Sequence, residues 1–483
     1  MSIVTQINLL KNRRTKIIAT LGPATCAPEK IRELIMSGVN VFRLNMSHGN
    51  HAFHASAYQD IREISSELNL PVGILADLCG PKIRTGKFIN GEIQLLRGDH
   101  VTVTTRDVEG TSDIIPSQYK ALASDVKTGN RILLNDGLLE LRVISIKDTE
   151  IECEVVHGGV LKDHKGINLP GVNISAPSLT DKDKIDANFA IDLGVDFLAL
   201  SFVRKADDIY ELRKIITEHK AHCSIVAKIE KPEALEDIDQ ILEATDAIMV
   251  ARGDLGVELN PEEVPVAQSQ LIDQARIRFK PVIVATQMLE SMIESARPTR
   301  AEVTDIAFAV TLGTDAVMLS AETAAGKYPI EAVQMMDRIA RQTESHLWNN
   351  GIYGATPVKD ATPPLSIWDV MADATAHMSR NIMAHAVVVI SNSGMSANTM
   401  SSARPASPIV AITNNHDVFR KMALLWGVLP VYSEDAGKTN PNEIARNAAK
   451  ELDLVKPGEY IILVRGFHAT PELNTPSITC MVV

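Results

Sequence analysis

Eight short apolar runs rich in β-branched residues recur along the first two thirds of this chain, and they constrain its fold more than any other feature. Segments of helical period follow most of them, among them PEALEDIDQILEA and AEVTDIAFAVTLG. This alternation is typical of βα units that build a parallel sheet. The runs are, in chain order, TKIIATLG, VNVFRLNM, PVGILADL, VDFLALSF, SIVAKIE, DAIMVARG, KPVIVATQ and TDAVMLSA.

The number of runs favours an α/β fold of the (β/α)8 TIM-barrel type over an open doubly wound sheet. We assign residues 1–84 and 170–350 to this barrel. Residues 85–169 interrupt it after the third strand, and their short alternating runs with glycine turns predict an inserted antiparallel β domain, a small β-barrel. Because barrel active sites lie at the C-terminal ends of the strands, this insert is placed to act as a lid.

A third unit, residues 351–483, begins with the turn-rich linker GIYGATPVKDATPP. The helical segment SIWDVMADATAHMSR and the strands AVVVIS, PIVAIT, VLPVYS and YIILVRG predict a compact parallel α/β domain. Its segment SNSGMSANTM follows a strand and opens a predicted helix, where N–H groups and hydroxyls can hold a phosphate. A serine that only caps the helix explains the same segment equally well.

The charge balance and the cysteines narrow the partners and the compartment. With 48 Lys and Arg against 60 Asp and Glu, the net charge is -12, and no dense basic run occurs, so we expect no nucleic-acid or membrane partner. The N-terminus lacks a signal-peptide pattern and no segment is apolar enough to span a bilayer, so we expect a cytoplasmic protein. Five scattered cysteines predict neither a disulfide framework nor a zinc site.

Polar side chains follow the predicted strands, and in a barrel these positions converge on one rim. Glu230 and Asp254 end adjacent strands, and two carboxylates completed by substrate oxygens and water suit Mg2+ better than zinc. Arg43 offers a guanidinium fork and Lys228 a point charge for phosphate. Helix capping or a solvated ion pair would explain any one of them alone. The whole rim set is Arg43, Asn45, Ser47, His48, Asp77, Lys82, Arg84, Lys228, Glu230, Arg252, Asp254, Thr286, Gln287, Ser320 and Glu322.

The stretch MVARGDLGVE ends the sixth predicted strand in an Arg-Gly-Asp triplet. Gly253 and Gly256 would let the backbone approach a ligand closely, the turn after the strand would expose N–H donors, and Asp254 would present its carboxylate. A surface adhesion signal is the alternative, and it requires an exposed loop tip rather than a barrel mouth.

Taken together, the motifs of this chain resemble those of the pyruvate kinase family. The matching segments occur in the family's order: RRTKIIATLGPAT, VFRLNMSHG, DLCGPKIRTG, HKGINLPG, VAKIE, MVARGDLGVE, ATQMLESM with PTRAEV, and TDAVMLSAETAAGKYPIEAV. The resemblance implies three domains, a homotetramer, and phosphoryl transfer from phosphoenolpyruvate to ADP, giving pyruvate and ATP. It also implies Mg2+, with Mn2+ as an alternative ion.

The resemblance gives individual residues their roles. Glu230 and Asp254 would hold Mg2+, Arg43 would clamp the phosphoryl group, and Lys228 would offset the charge that builds during transfer. The substrate carboxylate would meet the backbone N–H groups near Gly253 and Asp254 and the Thr286 hydroxyl. Thr286 with bound water would relay a proton to the enolate. The residues implied for the nucleotide phosphates are Asn45, His48, Arg84 and, from the insert, Lys165.

Lys82 departs from a pattern that is common in the family. Many members have glutamate at this position and require K+ near the counterparts of Asn45, Ser47, Asp77 and the Leu78 carbonyl. A lysine ammonium carries the same unit charge, so we expect that this chain does not require K+. A Lys82 that points to solvent is the alternative.

The SNSGMS segment lies where the family's C-terminal domain binds sugar phosphates. The segment GFHATPELNTPS differs from the pattern associated with fructose 1,6-bisphosphate, so a monophosphorylated sugar or a nucleotide is an equal alternative. The residues expected to hold the effector phosphate are Ser391, Asn392, Ser393, Gly394 and Ser396.

Two other functions fit parts of the sequence. A metal-dependent barrel lyase or aldolase acting on a 2-oxo acid would also use Mg2+ and an enolate, but it has no need of a nucleotide lid carrying Lys165. A catalytically inactive scaffold that senses a metabolite through its C-terminal domain is the second. Against it stands the intact set Arg43, Lys228, Glu230, Asp254 and Thr286.

Overall fold

The computed structural model describes residues 13–352, 364–468, 472 and 474–483. Parallel strands and helices alternate at its start, as the sequence predicts. Asn50 begins the second helix because its side chain accepts the backbone N–H of Phe53, satisfying a donor that has no partner inside the helix. The elements are β1 (Lys16–Thr20), α1 (Pro28–Met36), β2 (Val41–Asn45), α2 (His51–Glu67) and β3 (Gly73–Asp77).

The insert after β3 is a β domain with a hydrophobic core of its own. Its strands are β4 (Glu92–Leu95), β5 (His100–Thr104), β6 (Ile114–Pro116), β7 (Arg131–Leu134), β8 (Leu139–Lys147), β9 (Glu150–His157), β10 (Gly159–Lys162) and β11 (Ile167–Asn168), with one short helix, α3 (Leu122–Asp125). They form a six-stranded sheet in the order β11-β7-β8-β9-β5-β6 and a two-stranded ribbon of β4 and β10. All pairs are antiparallel except β5 with β6, which pair in parallel.

Five more strands complete the barrel. They are β12 (Phe197–Leu200), β13 (Ser224–Ile229), β14 (Ala247–Ala251), β15 (Val282–Ala285) and β16 (Ala316–Leu319). Every barrel strand lies inside one of the eight predicted runs, and every neighbouring pair is parallel. Since β1 pairs with both β2 and β16, the ring is closed. The (β/α)8 prediction is confirmed, while the domain boundaries at residues 84, 169 and 350 remain predictions.

Two helical details of the barrel differ from the sequence analysis. The segment expected to form one helix after β13 is two, because the chain breaks at Asp237, whose carboxylate accepts the Ala206 N–H at 3.1 Å. The residues expected to form a turn after β14 are a short helix. The barrel helices after the insert are α4 (Asp181–Leu193), α5 (Ala206–Glu218), α6 (Pro232–Glu236), α7 (Ile238–Ala244), α8 (Arg252–Glu258), α9 (Val264–Ile277), α10 (Arg300–Thr311), α11 (Ala321–Ala324) and α12 (Pro329–Asn349).

The C-terminal domain has a five-stranded sheet in the order β19-β18-β17-β20-β21. Four strands are parallel, as predicted, and the last is an antiparallel edge strand that the sequence analysis did not assign. The predicted linker lies mostly outside the described residues. The elements are α13 (Ile367–Asn381), β17 (Ala386–Ile390), α14 (Met395–Ser402), β18 (Ile409–Thr413), α15 (His416–Lys421), β19 (Val428–Tyr432), α16 (Pro441–Glu451), β20 (Tyr460–Arg465) and β21 (Ser477–Val482).

The barrel interior is a packed apolar core. Val41, Val226 and Met249 are among the side chains that fill it, and Leu424 of the C-terminal domain joins the same cluster. The core therefore supports the polar side chains at the C-terminal rim from below.

Candidate active site

A network of buried charges lies at the C-terminal rim of the barrel. The Lys228 ammonium is 2.9 Å from Glu230 Oε1 and 3.3 Å from Asp77 Oδ1. Arg43 donates through Nε to Asp77 Oδ2 at 2.7 Å, and its Nη2 is 2.6 Å from the same oxygen. The strand ends β2, β3 and β13 thus bring Arg43, Asp77, Lys228 and Glu230 together, as the sequence predicts.

These charges fix one another's protonation states. Burial by itself lowers the pKa of Lys228, but the carboxylates of Asp77 and Glu230 outweigh it and raise that pKa above its usual value. Burial would raise the pKa of Asp77, yet Lys228 and Arg43 hold it below its usual range. Lys228 therefore stays cationic at neutral pH, which suits a residue that must offset negative charge.

Ser201 belongs to this network, and the sequence analysis missed it. Its hydroxyl accepts a hydrogen bond from Lys228 Nζ at 2.7 Å and donates to the Leu78 carbonyl at 2.7 Å. The next residue, Phe202, donates its N–H to Glu230 Oε2 at 2.7 Å. Ser201 follows β12, so the rule applied to the other strand ends would have found it.

Asp254 lies beside Glu230 at the end of the neighbouring strand. Burial, followed by the negative charge of Glu230, raises the pKa of Asp254 to about 6, although Lys228 and Lys82 act in the opposite direction. The Glu230 carboxylate thus disfavours the ionised form of Asp254. A divalent cation between them would relieve this repulsion, so the residues fit the predicted ion.

Thr286 occupies a strained position next to Asp254. Its φ is 71° and that of Gln287 is 53°, a left-handed conformation that costs a β-branched residue about 1–3 kcal/mol. The Thr286 hydroxyl accepts the Gly253 N–H at 2.7 Å and donates to the Ala285 carbonyl at 2.6 Å. Strain of this kind persists only where surrounding contacts hold it, and it is enriched at functional sites.

A cleft of about 280 Å³ separates the barrel rim from the insert. Of the residues predicted to contact the nucleotide, Arg84 and Lys165 line it, together with Lys82 and Asp254. Burial and the positive charges of Lys82 and Arg84 lower the pKa of His48. The Asn45 side chain makes a local hydrogen bond, in which its oxygen accepts the Ser47 N–H at 3.1 Å.

The Lys82 side chain is exposed, and its positive charge acts to lower the pKa of both His48 and Asp254. Asp77 anchors Arg43 and Lys228, and the Leu78 carbonyl accepts the Ser201 hydroxyl.

Glu322 is structural rather than substrate-facing. The fully buried Glu322 carboxylate accepts the Leu289 N–H at 3.0 Å and the Ser320 N–H at 2.7 Å, and so ties together the segments that follow β15 and β16.

Side-chain contacts near the rim link the insert, which is the proposed lid, to the end of α8. Lys231, directly after Glu230, is 2.6 Å from Glu258 Oε1 at the end of α8, and both side chains are buried. Asn168 of the insert reaches the same oxygen at 3.5 Å. The helix that carries Asp254 is thereby linked to the lid, a contact that strand-end reasoning did not predict.

The predicted effector segment forms the N-terminus of α14. Gly394 is left-handed, with φ 85°, and its N–H donates to the Ser391 hydroxyl at 3.1 Å. The Ser393 hydroxyl accepts the Met395 N–H at 3.4 Å. Ser391 and Ser396 are buried, whereas Asn392 and Ser393 are exposed. The N-cap of α14 is therefore Gly394 rather than a serine, and the hydroxyls of Ser391 and Ser393 accept the N–H groups of Gly394 and Met395.

In the described part of the chain, no group of three or more His, Cys, Asp and Glu side chains gathers as a metal site, so a cation held by Glu230 and Asp254 would need substrate oxygens or water to complete its coordination. None of the described helices is both long and apolar enough to cross a membrane.

Two family models match most of the chain. The pyruvate kinase barrel domain matches residues 12–333, and the pyruvate kinase alpha/beta domain matches residues 369–479. The chain belongs to the pyruvate kinase family. It is accordingly a phosphotransferase, and the resemblance seen in the sequence is confirmed.

Several pyruvate kinases are similar to nearly the whole of this chain. Pyruvate kinase 2 of Synechocystis is 46% identical over 94% of this chain and 76% of its own, and a pyruvate kinase of Agrobacterium vitis is 43% identical over 97% and 96%. The crystal structure of a pyruvate kinase from Cryptosporidium parvum superposes with a TM-score of 0.89 at 36% identity, covering 98% of both chains.

Proposed function

We propose that this chain transfers the phosphoryl group of phosphoenolpyruvate to ADP with Mg2+, as the final step of glycolysis, and that the rim cluster performs the reaction. One observation carries the assignment of residues. A cationic lysine, Lys228, is held between Asp77 and Glu230 at the same rim as Asp254, whose ionisation burial opposes. Family membership supports the reaction itself.

Glu230 and Asp254 are the residues that would hold Mg2+, or Mn2+ in its place. When bound, the ion supplies positive charge that offsets the charge on the transferring group. The Glu230 carboxylate is pre-oriented, since its second oxygen already accepts the Phe202 N–H. Asp254 must be ionised to serve as a ligand.

Arg43 and Lys228 would act on the phosphoryl group. In the transfer, the bond between phosphorus and the enol oxygen breaks while a terminal ADP oxygen bonds to phosphorus, and the electron pair stays on the enol oxygen. Lys228 would stabilise the resulting enolate, and Arg43 would orient the phosphoryl oxygens. Their contacts with Asp77 hold both cations in place beforehand.

Thr286, with a bound water, would pass a proton to the enolate carbon, which gives pyruvate. The Gly253 N–H, proposed to receive the substrate carboxylate, donates to the Thr286 hydroxyl in this structure. Substrate would therefore share or replace that bond, which couples carboxylate binding to the proton relay.

Asn45, His48, Arg84 and Lys165 would bind the nucleotide phosphates. The cleft between rim and insert supports this role for Arg84 and Lys165. Closure of the insert over the cleft would keep water from accepting the phosphoryl group.

A coupled assay of pyruvate formation from phosphoenolpyruvate, with and without ADP and Mg2+, tests the proposal. We expect pyruvate only when both are present. Pyruvate without ADP would indicate a phosphatase or lyase activity, and no pyruvate under any condition would favour the inactive scaffold.

We further propose that catalysis does not require K+, because the Lys82 ammonium lies close enough to influence Asp254 and His48. Turnover without K+ should stay within about twofold of turnover at high K+, and Lys82→Glu should create a K+ requirement. A many-fold activation of the unmodified chain by K+ would overturn this.

The family likeness supports three more proposals: activation by a phosphorylated metabolite at residues 391–396, a homotetramer and a cytoplasmic location. The start of α14 and the exposed Asn392 and Ser393 side chains suit a phosphate. Titrating sugar monophosphates, nucleotides and fructose 1,6-bisphosphate at sub-saturating phosphoenolpyruvate tests the effector site. Light scattering tests the tetramer.

A further inference from the structure

Arg252 is a charged strand-end residue to which the proposed reaction gives no role. It directly follows β14 and begins α8, yet its side chain is only 11% exposed. The guanidinium lies against the end of the adjacent strand β15. An arginine buried in this way is a structural element or a support for its neighbours rather than a surface adhesion signal.

The guanidinium makes a fork on two consecutive carbonyls. Its Nη2 donates to the Thr286 carbonyl at 2.8 Å and its Nε to the Ala285 carbonyl at 3.3 Å. Its Nη1 is 2.6 Å from Asp305 Oδ1 on α10, which fixes the far side of the group. Such a planar fork restrains both the position and the orientation of the two peptide groups that it binds.

The Thr286 carbonyl belongs to the strained segment described above, and the Ala285 carbonyl directly precedes it. Thr286 and Gln287 leave the extended conformation just after β15, where the Thr286 carbonyl needs a hydrogen-bond donor. Arg252 supplies that donor, while the adjacent Gly253 N–H holds the Thr286 hydroxyl. Arg252 thus restrains the backbone of Thr286, and the next residue, Gly253, restrains its side chain.

We infer that Arg252 is a positioning residue that keeps the Thr286 hydroxyl where proton transfer to the enolate requires it. The inference rests on the proposed role of Thr286. It identifies a function for the arginine of the triplet that does not involve contact with substrate.

The test separates proton transfer from phosphoryl transfer. Methyl hydrogen exchange of pyruvate in D2O, with the full-length enzyme, Mg2+ and ATP, is followed by NMR. In this exchange a methyl C–H bond breaks, its electron pair forms the enolate, and a deuteron returns through the same relay. Phosphoryl transfer is measured in parallel as single-turnover ATP formation from phosphoenolpyruvate and ADP.

We expect Arg252→Met to slow exchange about 100-fold, because small displacements of a catalytic group cost this much, while single-turnover transfer falls by less than about tenfold. Arg252→Lys, which keeps the charge but not the fork, should lie between. The double variant Arg252→Met with Thr286→Ala should exchange no more slowly than Thr286→Ala alone.

Arg213→Met is the matched control. Arg213 makes the same kind of contacts at the other end of β14, with the Asp246 carboxylate at 2.8 Å and the Ala244 carbonyl at 3.1 Å. Its loss should change exchange and transfer equally. If Arg252→Met does not fold, Asp305→Asn, which releases one side of the fork, should slow exchange about threefold more than transfer.

Equal losses of exchange and transfer in the Arg252 and Asp305 variants, or additive effects with Thr286→Ala, would overturn the inference. If Thr286→Ala slows exchange but Arg252→Met does not, only the role of Arg252 is wrong. If Thr286→Ala leaves exchange intact, the proposed relay is wrong and the inference falls with it.

Discussion

The two ends of the barrel both bury charge, but in opposite ways. At the N-terminal end, Asp196, Asp246 and Asp315 each precede a strand and accept, at 2.8, 2.7 and 3.0 Å respectively, the N–H of the first or second residue of a neighbouring strand. Each also pairs with an arginine. Carboxylates satisfied in this way join strands to one another and to the C-terminal domain.

At the C-terminal end, burial and the Glu230 carboxylate disfavour the ionised form of Asp254, and Thr286 is strained. Burial of charge is thus common to both ends and does not by itself indicate function. The indication at the C-terminal rim is the combination of a buried carboxylate that lies beside a second carboxylate with a strained backbone segment, since a cationic ligand could stabilise the charged form there.

Lys228→Met provides the largest test of this difference. We expect kcat to fall by about 10³-fold or more, since the ammonium is proposed to stabilise charge that exists only during transfer. The coupled pyruvate assay measures it, and a thermal unfolding scan reports the stability lost by leaving Asp77 and Glu230 without their cation. A variant that folds and keeps nearly full activity would make the rim as structural as the opposite end.

Asp315→Ala tests the N-terminal end. Its carboxylate joins β15, Arg404 and the Trp426 N–H, so we expect a loss of about 3–5 kcal/mol in the free energy of unfolding. The kcat of the folded fraction should change by less than about twofold, because the site is at the other end of the core. Urea titration measures the free energy of unfolding, and the coupled assay measures kcat. A large effect on kcat with unchanged stability would contradict the proposed difference between the two ends of the barrel.

The pKa of about 6 for Asp254 predicts a pH-dependent metal affinity. As pH falls below 6 the carboxyl gains a proton, so Mn2+ binding should weaken about tenfold per pH unit. Electron paramagnetic resonance of free Mn2+ between pH 5 and 8 measures this. Asp254→Asn should bind weakly at all these pH values, and a flat profile in the unmodified chain would show that Asp254 is not a ligand.

The smallest expected effect is on the pH dependence of stability, and it comes from Lys16 at the N-terminal end of the barrel. Burial, followed by the charges of Arg13 and Arg14, lowers its pKa to about 7, and its ammonium donates to the Val428 carbonyl at 2.6 Å. Because the folded-state pKa is depressed, stability should be greatest above the unfolded value near 10.5 and decline as pH falls toward 7. Lys16→Met should flatten this slope, which is at most about 1.4 kcal/mol per pH unit. Melting temperatures from pH 7 to 9 measure it, and an unchanged slope would contradict the prediction.

Sequence periodicity predicted the barrel strands well because each strand is buried on both faces and reads as a continuous apolar run. It did not reveal β21, a partly exposed edge strand, or the break at Asp237, whose side chain accepts the Ala206 N–H from another element. The rim residues were predictable for the same reason as the strands, since they terminate them. The contacts of Ser201, Lys231 and Glu258 were not, because they depend on side-chain directions between separate elements.

The sequence alone determined the alternation of strands and helices, the insert, and which polar side chains end the strands, because these follow from local periodicity and chain order. Only the tertiary structure decided which of those polar groups have hydrogen-bond partners that satisfy them and which lie where their charged form is disfavoured. Glu322 and Asp254 are both acidic residues just after a strand, yet one receives two backbone N–H groups and the other faces a second carboxylate. That distinction arises from contacts across the barrel, which no spacing along the chain records.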